Sequence, residues 1–326
     1  MRHNARAFFF RLIQVVWSPI ALVGYVTFVI KLIMFSRKSS GVSSTTLTSF
    51  YTRWVQHQLG TRLDEPVARL MRIIPNISQP GLRLTTGGTR LAHRLTGYVP
   101  RIYRYPYEGE AQMVHQPTAR TTFFDAALAR HISSIDQLVI LGAGYDTRSY
   151  RVPERIRCFE IDTPKMQETK RQMMKKAGLD TNRITFVPAN FLTDDWLENL
   201  VKTGFDPNKP TFFLWESVTM YLNREAVESA LRKIAGTARG SAVAFDYFNA
   251  GFIEDQGLYM RYARAVLNRI GEPFTFGLEA PPPASKHVAT FLASCGLSME
   301  EQRNFGPETG GQSAPAGFTV GVVGER

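Results

Sequence analysis

The residues best placed to do chemistry lie in one stretch, LVILGAGYDTR at 138–148. An apolar run ends on Gly142-Ala143-Gly144. Glycines at such a point let the backbone turn sharply and let a ligand come close. The dinucleotide fingerprint wants a further glycine at 147, and Thr147 stands there instead, so that fingerprint is incomplete. Downstream, FEID at 159–162 ends on Asp162, 18 residues after Gly144. An acid about 20 residues past the glycines, at the end of a second strand, accepts hydrogen bonds from ribose hydroxyls. Glu160, on the opposite face of a regular strand, is as well explained by an ordinary strand charge. Two more strand ends complete the set, PANF at 188–191 with Asn190 and Phe191, and WESVTMYL at 215–222 with Glu216. A carboxylate following so apolar a run needs a cationic or hydrogen-bonding partner.

These residues share a site only if parallel strands bring their carboxyl ends to one rim. The hydrophobic pattern predicts strands at 138–141, 156–161, 184–187, 211–215 and 241–247. Helices are predicted between them at 164–177, 195–203 and 224–237. A long helix at 252–270, one at 286–295 and closing strands at 297–302 and 318–323 follow. Alternation of this kind predicts an α/β fold, Rossmann-like, with a doubly wound, mostly parallel sheet. Upstream, 51–74 shows helical spacing, 75–110 is rich in Gly, Pro and Tyr and reads as irregular, and 117–134 reads as a helix capped by Thr118. The resulting organisation is a hydrophobic membrane-anchor helix with its flanks over 1–36, a linker over 37–50, a helical section over 51–135, and a core over 136–326 with a cap insertion at 248–283.

GAGYDTRSYR, FEIDTP, the third strand end and WESVTMYL, in this order, resemble the leucine carboxyl methyltransferase family, as do TARTTFFD at 118–125 and GEPFTFGL at 271–278. The resemblance covers roughly 105–326. It implies a class I methyltransferase core and S-adenosyl-L-methionine as cofactor; no residue spacing in the sequence calls for a metal. Carried onto this chain, it implies that Arg120 pairs with the methionine carboxylate, that Gly142 and Gly144 admit the cofactor, and that Asp162 holds the ribose. It also implies that Asn190 and Phe191 frame the adenine and that Glu216 lies near the methionine amine. The family usually has Asp-Leu where this chain has Asn190-Phe191, and an Asn carbonyl can still accept from an adenine amine. Asp146, Thr147 and Arg148 suit ligand contact or capping and packing around the glycine turn equally. The family includes the enzyme that methylates the terminal carboxylate of protein phosphatase 2A and many relatives of other substrates. A small-molecule carboxylate or hydroxyl is the acceptor expected here, with a protein carboxyl terminus as the alternative. A carboxylate acceptor needs no general base and a hydroxyl does; His115 and Tyr221 are near the rim, but neither is assigned that role. An NAD(P)-dependent oxidoreductase and a non-catalytic cofactor-binding membrane protein are the competing classes.

Charge separates the two ends of the chain. Of a formal net charge of +11, residues 1–135 carry 17 Lys and Arg against 5 Asp and Glu, and the remainder is close to neutral. No helix-turn-helix, RNP motif or zinc-finger spacing accompanies the arginines, so an anionic membrane surface is the expected partner rather than nucleic acid. Residues 12–30 are uncharged and apolar, long enough to cross a bilayer. A presequence of mitochondrial type is the alternative, since no acid occurs before Asp64, and so is an interfacial helix. The two cysteines, Cys158 and Cys295, form no disulfide framework or metal-ligand spacing and are expected to be buried thiols.

Overall fold

In the computed structural model, residues 2–38, 46–75, 77–308 and 311–324 are described. The sheet follows from the apolar runs. Strands β1 (Gln137–Leu141), β4 (Thr211–Trp215) and β5 (Ala242–Phe248) are buried along their whole length. Continuous burial is what strands covered on both faces require. With β2 (Arg157–Asp162), β3 (Ile184–Pro188), β6 (Ser298–Phe305) and β7 (Ala316–Val322) they form one sheet of order β3-β2-β1-β4-β5-β7-β6. The first five strands pair in parallel, and β7 enters antiparallel between β5 and β6. The strand order reverses beside β1, so the ends of β1 and β4 diverge and leave a crevice, where ligands bind in open α/β sheets.

One face of the sheet is covered by α7 (Trp196–Lys202), α8 (Arg224–Ala235) and α11 (Ala284–Ser294), whose apolar sides meet Phe159, Phe213 and Phe245. The other is covered by α5 (Gln116–His131). A third apolar cluster joins α2 (Thr46–Gln58) and α3 (Glu65–Met71) to α6 (Pro164–Lys176). Glu160 does point away from the cleft, into that side of the molecule. It is fully buried and accepts from Lys170 Nζ at 2.6 Å and Ser149 Oγ at 2.9 Å. Both cysteines are buried free thiols.

Several expected elements are replaced. The single helix over 51–74 is two, because Gly60 takes a left-handed conformation (φ +68°) and ends α2. Part of the expected linker at 37–50 lies outside the described residues. Of the rest, α1 (Arg2–Lys38) and α2 take up both ends. Thr118 lies inside α5 and donates to Arg104 O rather than capping the helix. The long helix at 252–270 is α9 (Ala250–Glu254) and α10 (Leu258–Ile270), broken where the Asp255 side chain accepts from the Gly257 amide.

The largest departure is α4 (Gln79–Thr96), a helix of 18 residues where irregular chain was expected. Ser78 caps it and Pro80 sits in its first turn, a position that suits proline. Gly87 and Gly88 in its middle disfavour helix locally, but they are where Trp17 of α1 packs, at a distance that leaves no room for a Cβ. Gly24 of α1 meets Gly81 with the same closeness, and Trp17 Nε1 donates to Leu84 O at 2.8 Å. Contacts from Phe10 to Phe28 thus run along α4, while Phe8, Phe9, Leu12, Val16, Val23 and Ile30 face outward.

Lys170 is 2% exposed and Glu160 fully buried. Burial pushes the Glu160 carboxyl above its ordinary range and Lys170 pulls it back. Replacing Lys170 with Met leaves the acid without its cation. Urea unfolding of Lys170→Met should show a loss of about 3–5 kcal/mol, and a loss under 1 kcal/mol would show that the pair is not the brace described here.

Candidate functional site

The crevice is a cleft with a cavity volume of about 190 Å³, partly open to solvent. It is walled by Gly142, Gly144, Asp162, Asn190, Phe191 and Glu216, with Ser49 and Arg53 from α2 on its far side. Six of the seven residues expected from sequence therefore share one cavity. Gly142 and Gly144 both have positive φ (+66° and +45°). A Cβ on Gly142 would strike Val218, so the turn needs glycine for space as well as for conformation. Asp162 closes β2 and steadies the turn. Its Oδ2 accepts from the Gly144 amide and its Oδ1 from the Thr163 amide, each at 2.7 Å. Each oxygen keeps a second lone pair for a ligand hydroxyl. Burial raises the Asp162 carboxyl above its ordinary value, and the two amides hold it back.

At the end of β3, Asn190 Oδ1 accepts from the Leu192 amide at 3.0 Å, and the Asn190 amide donates to Asp194. The loop is thereby fixed, with one acceptor site left on the amide oxygen. The Phe191 ring stands 6.1 Å from both Trp196 and Trp215, an apolar wall suited to a flat ring.

Glu216 is buried at the floor of the cleft. Its Oε2 accepts from Arg148 Nη1 at 2.6 Å, whereas Oε1 has no hydrogen-bond partner and lies 3.7 Å from Arg53 Nη2. Burial alone would raise this carboxyl, but Arg148 and Arg53 bring it below its ordinary range. It is an ionised acid with one oxygen spare. Beyond it, Ser217 is the only non-glycine residue with positive φ (61°) among the described residues. Its amide donates to Asp246 at 2.6 Å while its hydroxyl has no partner. Backbone strain of this kind collects at functional sites.

Arg120 departs from expectation. It does not line the cleft but the pocket next to it, where its Nη2 donates to Asp246 Oδ2 at 2.8 Å and its Nε has no partner. The two spaces share Ser217 and Tyr221 as a common wall. The neighbouring pocket is lined largely by Met, Phe, Val and Leu side chains, including Phe248, Met260 and Phe274, and among the described residues its one charged group is Arg120. Among the described residues, no His, Asp or Glu lines it. His115 is buried against Tyr107, outside both spaces.

Arg53 was missed in sequence. Helical spacing around Trp54 and Val55 marked the segment only as packing, and no local feature distinguishes an arginine that turns inward. Arg53 bonds Asp146 at 2.9 Å and belongs to a buried network centred on Arg148. Arg148 also pairs with Asp125, Asp146 and Glu216, and Asp125 and Asp64 in turn bind Arg62. Asp146 also lines the cleft, within reach of a ligand. Asp146 takes the Arg148 amide and Thr147 donates to Asp64, so the three residues brace the glycine turn.

Among the described residues there is no group of acids, histidines and cysteines able to hold a metal. The unpartnered Glu216 Oε1 and Ser217 Oγ, the available lone pairs of Asp162 and the ring wall at Phe191 instead fit a nucleoside bearing an amino-acid tail.

The sequence has relatives among known proteins. The model of a family described as leucine carboxyl methyltransferase matches residues 103–235. A protein of Saccharopolyspora erythraea, provisionally named an S-adenosyl-L-methionine-dependent methyltransferase, is 34% identical over 216 residues, 64% of this chain and 68% of the relative. One of Mycobacterium tuberculosis with the same provisional description is 35% identical over 164 residues, 49% of this chain, and the match spans about half (51%) of that relative. Among solved structures, a DUF574 family protein from Streptomyces avermitilis superposes with a TM-score of 0.47 at 13% identity, over 64% of this chain and 84% of that one.

Arg148 serves three carboxylates at once, and its loss should be felt in stability and in its pH dependence. Asp125, Asp146 and Glu216 are buried, which raises them, but the arginines bring each below its ordinary range. A depressed carboxyl stabilises the fold above its unfolded value and loses that contribution as pH falls through the folded value. Arg148→Met should lose about 3–5 kcal/mol in urea at neutral pH, and the gap from the parent should narrow below about pH 4. A gap independent of pH would count against the network.

Proposed function

Because the chain belongs to the leucine carboxyl methyltransferase family of S-adenosylmethionine-dependent methyltransferases, we propose that it transfers the methyl group to a carboxylate oxygen of a small apolar molecule. The observation that carries this reading is the pocket beside the cleft, with its single cation, Arg120, and no acid or histidine among its described lining residues. A hydroxyl acceptor needs a base to take its proton, whereas a carboxylate arrives ionised. When bound, S-adenosylmethionine supplies a methyl group on a sulfonium; the new bond is O–CH3, the broken bond is S–CH3, and its electron pair stays on sulfur. No proton moves in this step.

The chain's own residues then bind, orient and exclude water. Asp162 holds the ribose hydroxyls at the end of β2. Asn190 and Phe191 frame the adenine, and Gly142 and Gly144 keep the turn open against the ligand. Glu216, with one free oxygen, takes the methionine amine. Arg53 lines the same cleft and is the arginine placed to meet the methionine carboxylate, with Arg120 at the boundary where methionine end and acceptor meet. Ser217 and Tyr221, common to both walls, mark the point of transfer.

The reading also places the chain at a membrane. The span Asn4–Lys31 is long and apolar enough to cross one, but α4 lies along it and exposes Arg83, Arg90 and Arg94. Between Arg83 and Arg90 only six residues are uncharged, about 9 Å of helix, against a hydrocarbon core of about 30 Å. The pair therefore suits the interface, with the outward face of α1 in the acyl region and the arginines among anionic head groups. Vesicles containing acidic lipid should float with the full chain. A Val16→Glu, Val23→Glu double variant, altered only on the outward face of α1, should stay in the soluble fraction. Equal flotation of the two proteins would contradict the placement.

Calorimetry tests the site. S-adenosylmethionine should give a binding isotherm and NADH none, and Asp162→Ala should weaken the former about tenfold or more, as loss of hydrogen bonds to a charged group implies. With carboxylic acids as acceptors, the rate should be flat in pH above about 6, where the acceptor is already ionised. Binding of NADH, or a rate that climbs with pH for phenols and alcohols only, would sink the carboxylate reading.

A further inference from the structure

The acceptor pocket does not end where the methyl group would arrive. Its wall continues to Thr48, and Thr48 also lines a second pocket, between α1, α2 and α4. That second pocket is walled by Tyr25, Phe28, Leu47, Tyr51, Ile77 and Leu82 together with threonines, with no charged residue among its described lining. Thr48 is itself exposed, so the two pockets form a track along the surface rather than a sealed tunnel. Among the described residues, the track from Arg120 outward meets no formal charge, and it ends against α1 at Tyr25 and Phe28. These residues adjoin the apolar face that α1 turns outward at Val23, Val26 and Ile30.

We infer that the acceptor is a long-chain carboxylic acid that partitions into membranes, its carboxylate at Arg120 beside the methyl site and its hydrocarbon tail laid past Thr48 to the α1–α4 pair. The inference rests on the carboxylate reading above and adds the chemistry of the rest of the substrate. Such a molecule is held by two features present together, one cation at the inner end and an uncharged wall beyond it. A tail exposed to water would gain nothing from that wall, whereas each methylene moved into it leaves water. The outer end lies where an acid dissolved in a leaflet would leave it, so the head enters the site while most of the tail keeps apolar surroundings on either side of Thr48. The product, a methyl ester, no longer carries the charge that Arg120 holds, and it returns along the same track.

The test uses the full chain with lipid vesicles and labelled S-adenosylmethionine, comparing butyrate, octanoate and palmitate as acceptors. Specificity, as kcat/KM, should rise more than about tenfold from butyrate to octanoate and stay high for palmitate. A fluorescent long-chain polyene acid should bind in the absence of turnover and be displaced by palmitate but not by butyrate. Thr48→Glu places a charge at the junction, and Tyr25→Glu places one at the exposed outer end, where folding is not at stake. Each should raise the palmitate KM about tenfold or more and weaken the fluorescent acid, with S-adenosylmethionine affinity unchanged. Equal use of butyrate and palmitate, or of a hydrophilic peptide through its terminal carboxylate, would overturn the inference and leave the carboxylate reading standing. If the cofactor binds and no carboxylic acid of any length accepts the methyl group, the reading underneath has failed and the inference with it.

Discussion

The structure depends on one buried arginine. Arg148 stands 1% exposed beneath the glycine turn, and three carboxylates from three parts of the chain converge on it. Asp125 comes from α5, Asp146 from the turn itself, and Glu216 from the end of β4. None of these acids could stay ionised at that depth without a cation. Burying the charges costs about as much as their attraction returns, so the network is weak evidence of stability. Its effect is to permit one arrangement. The turn, α5 and the β4 end must sit where their charges cancel, and Arg53 and Arg62 extend the same requirement to the N-terminal helices.

The site follows from this arrangement. The helices upstream of the sheet are part of the cleft, because Arg53 and Ser49 form one of its walls. Glu216 keeps its charge because Arg148 takes one of its oxygens, which leaves the other for a ligand. The same β4 end turns through Ser217 in a strained conformation and separates the polar cleft from an apolar pocket. On the proposed reading, a charged cofactor on one side and a hydrocarbon-bearing acceptor on the other would meet at this shared wall. The α1–α4 pair continues the apolar side past Thr48. Close packing over Gly24, Gly81, Gly87 and Gly88 holds it together.

Much of this was legible from sequence where burial acts on every residue of a run. Strands such as Thr211–Trp215 are apolar throughout because both faces are covered, and a run of that length between turn residues has few other uses. The glycine turn and Asp162 were legible because each needs a particular residue type at a particular strand end. What was hidden depends on distant partners. In α4, Pro80, Gly87 and Gly88 argue locally for irregular chain, and only Trp17 of α1, some 70 residues earlier, makes the glycines useful in a helix. Arg53 sits in a helix beside core residues, and nothing nearby says that it turns inward to Asp146. Arg120 carries the family's residue type, but its side chain is drawn to Asp246 and faces the neighbouring pocket. The break at 255–257 needs only a side chain accepting from the next turn's amide, a signal too small to register against the helical spacing on either side.

The chemical nature of the product bears most directly on the whole account. The full chain should be incubated with S-adenosylmethionine labelled in its methyl group and a mixture of apolar carboxylic acids, alcohols and phenols, and the product then treated with mild alkali. The account predicts label released as methanol, the behaviour of a methyl ester, with the acids alone consumed. Label that stays in an alkali-stable product formed from an alcohol or phenol would mean that a base acts where none was found, and the assignment of the apolar pocket to a carboxylate would be wrong.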